Sequence, residues 1–288
     1  LCFPTTGLAT EPAGGGQQPY VWRDAEQQPL PFQDAASILD ALRGSEVLSR
    51  EKIGRGVAGA EKLVLQHGDL RFHAALRTVD LTKVSPSAGS IERSSEYRDS
   101  AIFELAAYEL SELLGLHRVP PVVERTVGDT KGTVQMWLEA TIPEDELILR
   151  NDLDPPDVSY WNRQKQVMFV FDSLIGNSDR NQGNLLVDHS WRIWLIDHTR
   201  AFRRTSRLLY QDFMVACDRQ LWQRLQEIDP QLIRERLDPY LERQELAKVL
   251  SRHKRVVRHF EKLIEKNGEE MVLFDLDAAA ARSPHLED

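Results

Sequence analysis

Cysteine is scarce. Cys2 and Cys217 are the only two in 288 residues, which excludes a disulfide framework, and no Cys/His group has the spacing of a zinc site. His253 and His259 stand six apart rather than at the four-residue separation of a helical metal pair, and they read as solvated surface histidines. Long apolar runs are missing too. A run such as residues 167–171 is far too short to span a bilayer. Positive charge is in the minority: 36 Lys and Arg against 45 Asp and Glu leave a net charge of −9. That argues against broad binding to nucleic acid or an anionic membrane. No internal repeat is visible. The remaining composition, 41% hydrophobic and 28% charged, is that of a soluble globular chain able to fill one large domain or two lobes. The chain opens on Leu1 rather than methionine. A removed upstream segment is therefore expected, and the compartment stays open between cytoplasm and export.

Residues 1–33 are rich in Gly, Pro, Gln and Thr and read as a disordered leader. Residues 34–43 read as a short helix with Asp34 as its N-cap. The pattern then turns to short strands. Residues 62–65 and 70–79 flank the turn His67-Gly68-Asp69 and form a hairpin. Residues 82–95 read as a loop. Ile102, Leu105, Ala106, Leu110, Leu113 and Leu114 share one face, so a helix is expected over 97–114, ended by Gly115. Strands follow at 119–123 and 132–138, and 143–157 is an acidic connector. A helix over 161–175 stops at Gly176. Two short strands, 185–187 and 193–196, flank Asp188-His189-Ser190, and 218–266 is helical with breaks near Pro230 and Pro239. The expectation is an α+β fold of two lobes, a mixed one over 34–139 and a mainly helical one over 140–288, with a cleft between them.

The sharpest stretch is Gly176-Asn177-Ser178-Asp179-Arg180-Asn181-Gln182-Gly183-Asn184, a polar loop between a helix and a strand. Asp179 and Asn184 are five apart, and Asp197 ends the next strand. Phosphoryl transfer needs a carboxylate to orient or deprotonate the acceptor hydroxyl, and oxygen ligands for a divalent metal on the phosphates. Magnesium keeps several waters, so Asn184 and Asp197 suffice as side-chain ligands. The competing reading is a set of turn residues and buried ion pairs around a hairpin. Ile53-Gly54-Arg55-Gly56-Val57-Ala58-Gly59 precedes a strand rather than a helix. This favours a glycine-rich loop over phosphates, with Gly54 and Gly56 against the nucleotide, over a Rossmann turn; a plain surface turn is the alternative. Arg77 lies on the following strand, and Glu104, flanked by apolar residues, is the candidate carboxylate partner for a cation there.

These residues resemble the atypical kinases grouped around the phosphatidylinositol 3- and 4-kinases, the HipA-type bacterial kinases and the secretory-pathway Fam20-like kinases. The match covers about residues 51–202, and its most specific parts are the 176–184 loop and Trp194-Leu195-Ile196-Asp197-His198. The resemblance implies a two-lobed protein-kinase-like fold that uses ATP with Mg2+ or Mn2+. It makes Asp179 the catalytic carboxylate, Asn184 and Asp197 the metal ligands, and Glu104 the helix partner of the phosphate-binding cation. It places Met136, Trp137 and Leu138 at the hinge that receives adenine. The family pattern has lysine where this chain has Arg77, with Lys83 and Lys62 as other cations in range. Arg200, Arg203, Arg204 and Arg207 could hold an anionic or hydroxyl-bearing acceptor, or could pair with acids such as Asp212 and Asp218. Two functions remain: a phosphotransferase acting on a protein hydroxyl or a small polar, inositol-type acceptor, and a nucleotide-binding pseudokinase or regulatory module with little turnover. A binding domain without nucleotide is a third, blander reading.

Overall fold

The computed structural model describes residues 20–53, 60–84, 96–150 and 154–276. Helix α1, Ala35–Gly44, starts where the sequence places it, with Asp34 accepting a hydrogen bond from the Ser37 amide. An antiparallel sheet follows, built from β1 (Glu46–Lys52), β2 (Glu61–His67), β3 (Leu70–Arg77), β6 (Val122–Val127) and β7 (Thr130–Met136), in the order β1-β2-β3-β7-β6. Two-residue turns, Gly68-Asp69 and Gly128-Asp129, fix the β2–β3 and β6–β7 registers. Leu63, Leu65, Phe72, Ala74 and Leu76 alternate onto one buried face against Ile38 and Leu42 of α1. These side chains are hidden from solvent completely or nearly so, and each of the Leu, Ile and Phe residues contributes about 1.5–3 kcal/mol of hydrophobic stabilisation.

Four expectations are corrected. The helix expected over 97–114 begins at Ile102: α2 is Ile102–Leu113, and residues 96–100 are strand. That strand, β5 (Glu96–Ser100), pairs antiparallel with β4 (Asp80–Val84). The apolar helical spacing starts only at Ile102, and for the polar residues before it, pairing with β4 overrides local propensity. The same pair claims residues 82–84 from the expected loop, the rest of which lies outside the described residues. The acidic connector contains β8 (Ile142–Pro143) and α3, Glu144–Arg150, whose first turn holds Glu144, Asp145 and Glu146 at the favourable end of the helix dipole. Of the leader, residues 1–19 lie outside the described set, whereas 20–33 pack onto the body. Leu30 is buried, its amide donates to Trp22 O, and Tyr20 and Trp22 meet the ring of Trp194 edge-on or tilted. Aromatic burial at Tyr20 and Trp22 outweighs the disorder that the composition favours.

The second half is helical. Helix α4, Val158–Ile175, is buried along most of its length and leads into the hairpin β9 (Leu185–Val187) and β10 (Ile193–Leu195). Then come β11 (Cys217–Asp218), α5 (Arg219–Glu227), α6 (Pro230–Leu237), α7 (Arg243–Asn267), α8 (Glu269–Val272) and β12 (Leu273–Phe274). Of the histidines of α7, His253 is buried and His259 half-buried, and each is held by a backbone carbonyl. His253 sits 2.8 Å from Leu225 O and His259 2.7 Å from Met214 O through their Nε2 atoms.

Gly176 ends α4 in the left-handed region, φ 64, and a Cβ there would stand 2.9 Å from Arg252 Cζ. Gly115 has φ 68 and open space around it. Gly115→Ala is expected to cost only the left-handed strain, about 1–2 kcal/mol, and Gly176→Ala clearly more. Equal melting shifts would show that Arg252 yields without cost.

Candidate active site

The polar loop is built on Asp172. This fully buried carboxylate accepts from Asn177 Nδ2 at 3.0 Å, from Arg180 Nε at 2.8 Å and from Arg180 Nη2 at 3.0 Å. Asn177 turns back to accept from the Asp179 amide. Arg180, 3% exposed at its side chain, then donates through Nη1 to Asn184 O and Ile196 O, both at 2.8 Å. One guanidinium therefore ties the end of α4, the loop and the strand end before Asp197 into a unit. Burial would lower the Arg180 pKa, but the charge of Asp172 and its hydrogen bonds outweigh it, and the pKa rises.

On this frame Asn184 and Asp197 are brought together. The β9–β10 pairing continues as a bond from Ile196 N to Asn184 O at 3.2 Å, placing Asp197 next in line. Asn184 Nδ2 donates to Asp179 O at 3.1 Å, so the amide oxygen is the atom that could hold a metal. Asp197 has φ 58, a left-handed conformation that Asp tolerates better than most residues, and its Oδ1 accepts from Thr199 Oγ1. One carboxylate and one amide oxygen form a hard donor pair suited to Mg2+ or Mn2+, with water and phosphate completing the shell. No group of three or more His, Cys, Asp or Glu side chains that could hold a metal occurs among the described residues.

The chain reverses at Asp197 and buries His198. Its Nε2 lies 3.1 Å from Arg180 Nη2, which can only donate, so the ring proton resides on Nδ1. That atom lies 2.9 Å from Glu104 Oε2, and the His198 amide donates to Glu104 Oε1. Glu104 also stands 3.5 Å from Arg77 Nε, and Arg77 Nη1 donates to Gln135 at 3.2 Å. A buried chain of charge thus runs Arg77–Glu104–His198–Arg180–Asp172. Burial pushes the Glu104 pKa up, but Arg77 and the His198 hydrogen bonds outweigh it, and the pKa falls from 4.5 to about 2. A depressed carboxyl stabilises the fold above its unfolded pKa and loses that stability as pH falls through the folded one. Between pH 5 and 2 the wild type is expected to lose about 3 kcal/mol more than Glu104→Gln. Urea melts across that range test this, and parallel curves would refute it.

Of the remaining expected residues, Gly54 and Gly56 lie outside the described residues. Met136 is buried in β7 opposite Ala74, and the Trp137 amide donates to His73 O. Leu138 O accepts from Thr141 Oγ1 at 3.0 Å. Lys62 sits over the Trp137 ring at 4.5 Å, and Lys83 belongs to β4, outside the five-stranded sheet. Arg77 pairs with Glu104.

Three of the four arginines of the cluster are engaged by the fold. Arg200 bridges Asp99 Oδ2 at 3.0 Å and Asp179 Oδ2 at 3.1 Å. Arg204 pairs with Glu242 at 2.6 Å, and Arg203 donates to Ser178 Oγ. Arg252 holds the backbone at Arg203 O and Thr205 O, while Arg207 is exposed. Acids brought in by α7 and β5 are near in space and remote in sequence, which is why the cluster reads as one patch before folding. Asp172, Arg180, His198 and Asp99 were missed as site residues. The signal for Asp172 was available: a charged residue in an apolar run of α4.

No family model matches the sequence, and neither does any curated protein. Solved structures do match in fold. Hydra Fam20, solved with sugar, superposes with a TM-score of 0.62 at 16% identity, over 86% of this chain and 94% of that one. The Golgi casein kinase gives 0.59 at 15% identity, and its form with Mn/ADP bound gives 0.57 at 16%. Each of those two alignments covers 83% of this chain and 78% of the other. The fold is that of the Fam20-like atypical kinases, two-lobed and protein-kinase-like.

Proposed function

We propose that the chain is an ATP- and divalent-metal-dependent phosphotransferase. Its acceptor is a protein hydroxyl or a small polar, inositol-type alcohol. The single observation that carries this is the joining of Asp179, Asn184 and Asp197 to the Arg77–Glu104 pair through His198 and Arg180. Residues 34–139 and 140–288 serve as the two lobes. Met136, Trp137 and Leu138 would receive the adenine of ATP. The solved neighbour with Mn/ADP bound supports a nucleotide and metal of this kind.

Asp179 orients the acceptor hydroxyl and takes its proton as the oxygen attacks the γ-phosphorus and the bond to ADP breaks. Arg200 holds that carboxylate in place from one side. A divalent ion on Asp197 and Asn184 would draw charge off the phosphates and align them. Arg77, held by Gln135 and Glu104, presents a fixed cation to the nucleotide. The exposed Arg207 is available to an anionic acceptor. No described helix is long and apolar enough to cross a membrane.

The test is a melt with ATP and Mn2+ followed by a transfer assay on an acceptor panel. Stabilisation and transfer are both expected. Stabilisation without transfer would favour a regulatory nucleotide-binding module, and the lack of both would sink either reading. Arg77→Lys is expected to lower transfer about tenfold, since a lysine cannot keep both the Gln135 and Glu104 contacts. A gain in activity would instead mark the arginine as a disabling substitution.

A further inference from the structure

The five-stranded sheet has two faces. One buries Leu63, Leu65, Phe72 and Ala74 against α1. The other carries Arg77, whose Nη1 donates to Gln135 and whose Nε stands 3.5 Å from Glu104. Through Glu104 and His198 this second face is tied to the turn at Asp197. Cross-strand partners share a face. Lys62 is paired with Ala75, and Ala75 with Gln135, so Lys62 stands on the Arg77 side. Arg77 comes two residues after Ala75 on β3. Lys62 and Arg77 are therefore diagonal neighbours, about 7–8 Å apart and within reach of each other's long side chains.

The cations around the transfer residues are matched by acids. Glu104 answers Arg77, Asp172 answers Arg180, and Asp99 and Asp179 answer Arg200. Lys62 differs. It is half-buried, and no described acid pairs with it. Its ammonium lies 4.5 Å from the centre of the half-buried Trp137 ring. A charge-assisted hydrogen bond to a phosphate oxygen is stronger than the hold of an aromatic face on a cation, so an anion within reach draws the ammonium off the ring.

We propose that Lys62 is a second nucleotide-binding cation, whose Nζ leaves the Trp137 ring and donates to the phosphates of ATP beside Arg77. It rests on the chain being a nucleotide-dependent phosphotransferase. Lys62 supplies the positive charge that the Arg77–Glu104 pair, neutral as a unit, lacks. Ala75, between the two cations on that face, is small enough to leave the path between them open.

Titration calorimetry of the full chain with ATP and Mn2+, with adenosine as a competitor, tests this as binding alone, without transfer. Lys62→Met is expected to weaken ATP about tenfold while adenosine competes as it does in wild type, and Lys62→Arg to stay within about threefold of wild type for ATP. Lys62→Gln, neutral and of similar length, takes the place of Lys62→Met if that variant fails to fold. If adenosine is too weak to compete in either protein, the loss of ATP affinity and its recovery in Lys62→Arg decide. The proposal is overturned if Lys62→Met binds ATP as wild type does, or if Lys62→Arg binds it as weakly as Lys62→Met. It is overturned too if adenosine weakens as much as ATP, because Lys62 then acts on the base or the ring alone. In those three cases wild type still binds ATP and the phosphotransferase stands; a wild type that binds no ATP removes both.

Discussion

Asp197→Asn is expected to cut metal-dependent phosphoryl transfer about a thousandfold, equivalent to about 4 kcal/mol, while leaving the fold intact. Asparagine is chosen over alanine for a reason visible in the backbone. Asp197 sits at φ 58, where Asn is also tolerated and Ala is strained, so an alanine would mix a chemical effect with a conformational one. Asn also keeps an oxygen for the Thr199 hydroxyl. What it loses is the negative charge, the sole anionic ligand assigned to the metal. The measurement is a transfer rate against Mn2+ concentration, alongside a melt. An unchanged melt with the rate lost, only partly restored by excess metal, is the expected result. A rate within about threefold of wild type would remove Asp197 from the metal site.

Arg180→Met is expected to destabilise the fold by about 3–5 kcal/mol, because it leaves the Asp172 carboxylate charged and buried with Asn177 as its remaining side-chain partner. Asn184 O and Ile196 O lose their donor in the same change. The double variant Arg180→Met/Asp172→Asn should recover much of the loss, since the uncompensated charge goes with it. Chemical denaturation of the four species measures the coupling. Additive losses would mean that Arg180 acts only through the backbone carbonyls and that Asp172 finds another partner.

The two changes probe different layers of one site, and those layers were unequally legible. Asp179, Asn184 and Asp197 could be named as candidates from spacing because phosphate chemistry restricts the residue types and their order along helix, loop and hairpin. Glu104 was legible as a charge flanked by apolar residues. Arg180 was in plain view within the loop, yet its partners lie 8, 4 and 16 residues away, one on a helix and two in backbone carbonyls. Spacing alone carries no information about such a junction. His198 follows Asp197 directly, but its role depends on the turn at Asp197 that carries it to α2.

The sequence by itself determined the alternation of strand and helix, the Asp34 cap, the stop at Gly176 and the identity of the groups that could do phosphate chemistry. These follow from local sterics and from the ligand preferences of hard cations, which a few neighbouring residues express. Only the tertiary structure decided where helix α2 begins, that residues 20–33 are packed down, and that Arg200 and Arg204 pair with Asp99, Asp179 and Glu242. It also decided that Arg77 meets Glu104. Each of these outcomes is set by burial and by charges from distant elements. A buried charge must find its partner across the fold, whatever its neighbours along the chain.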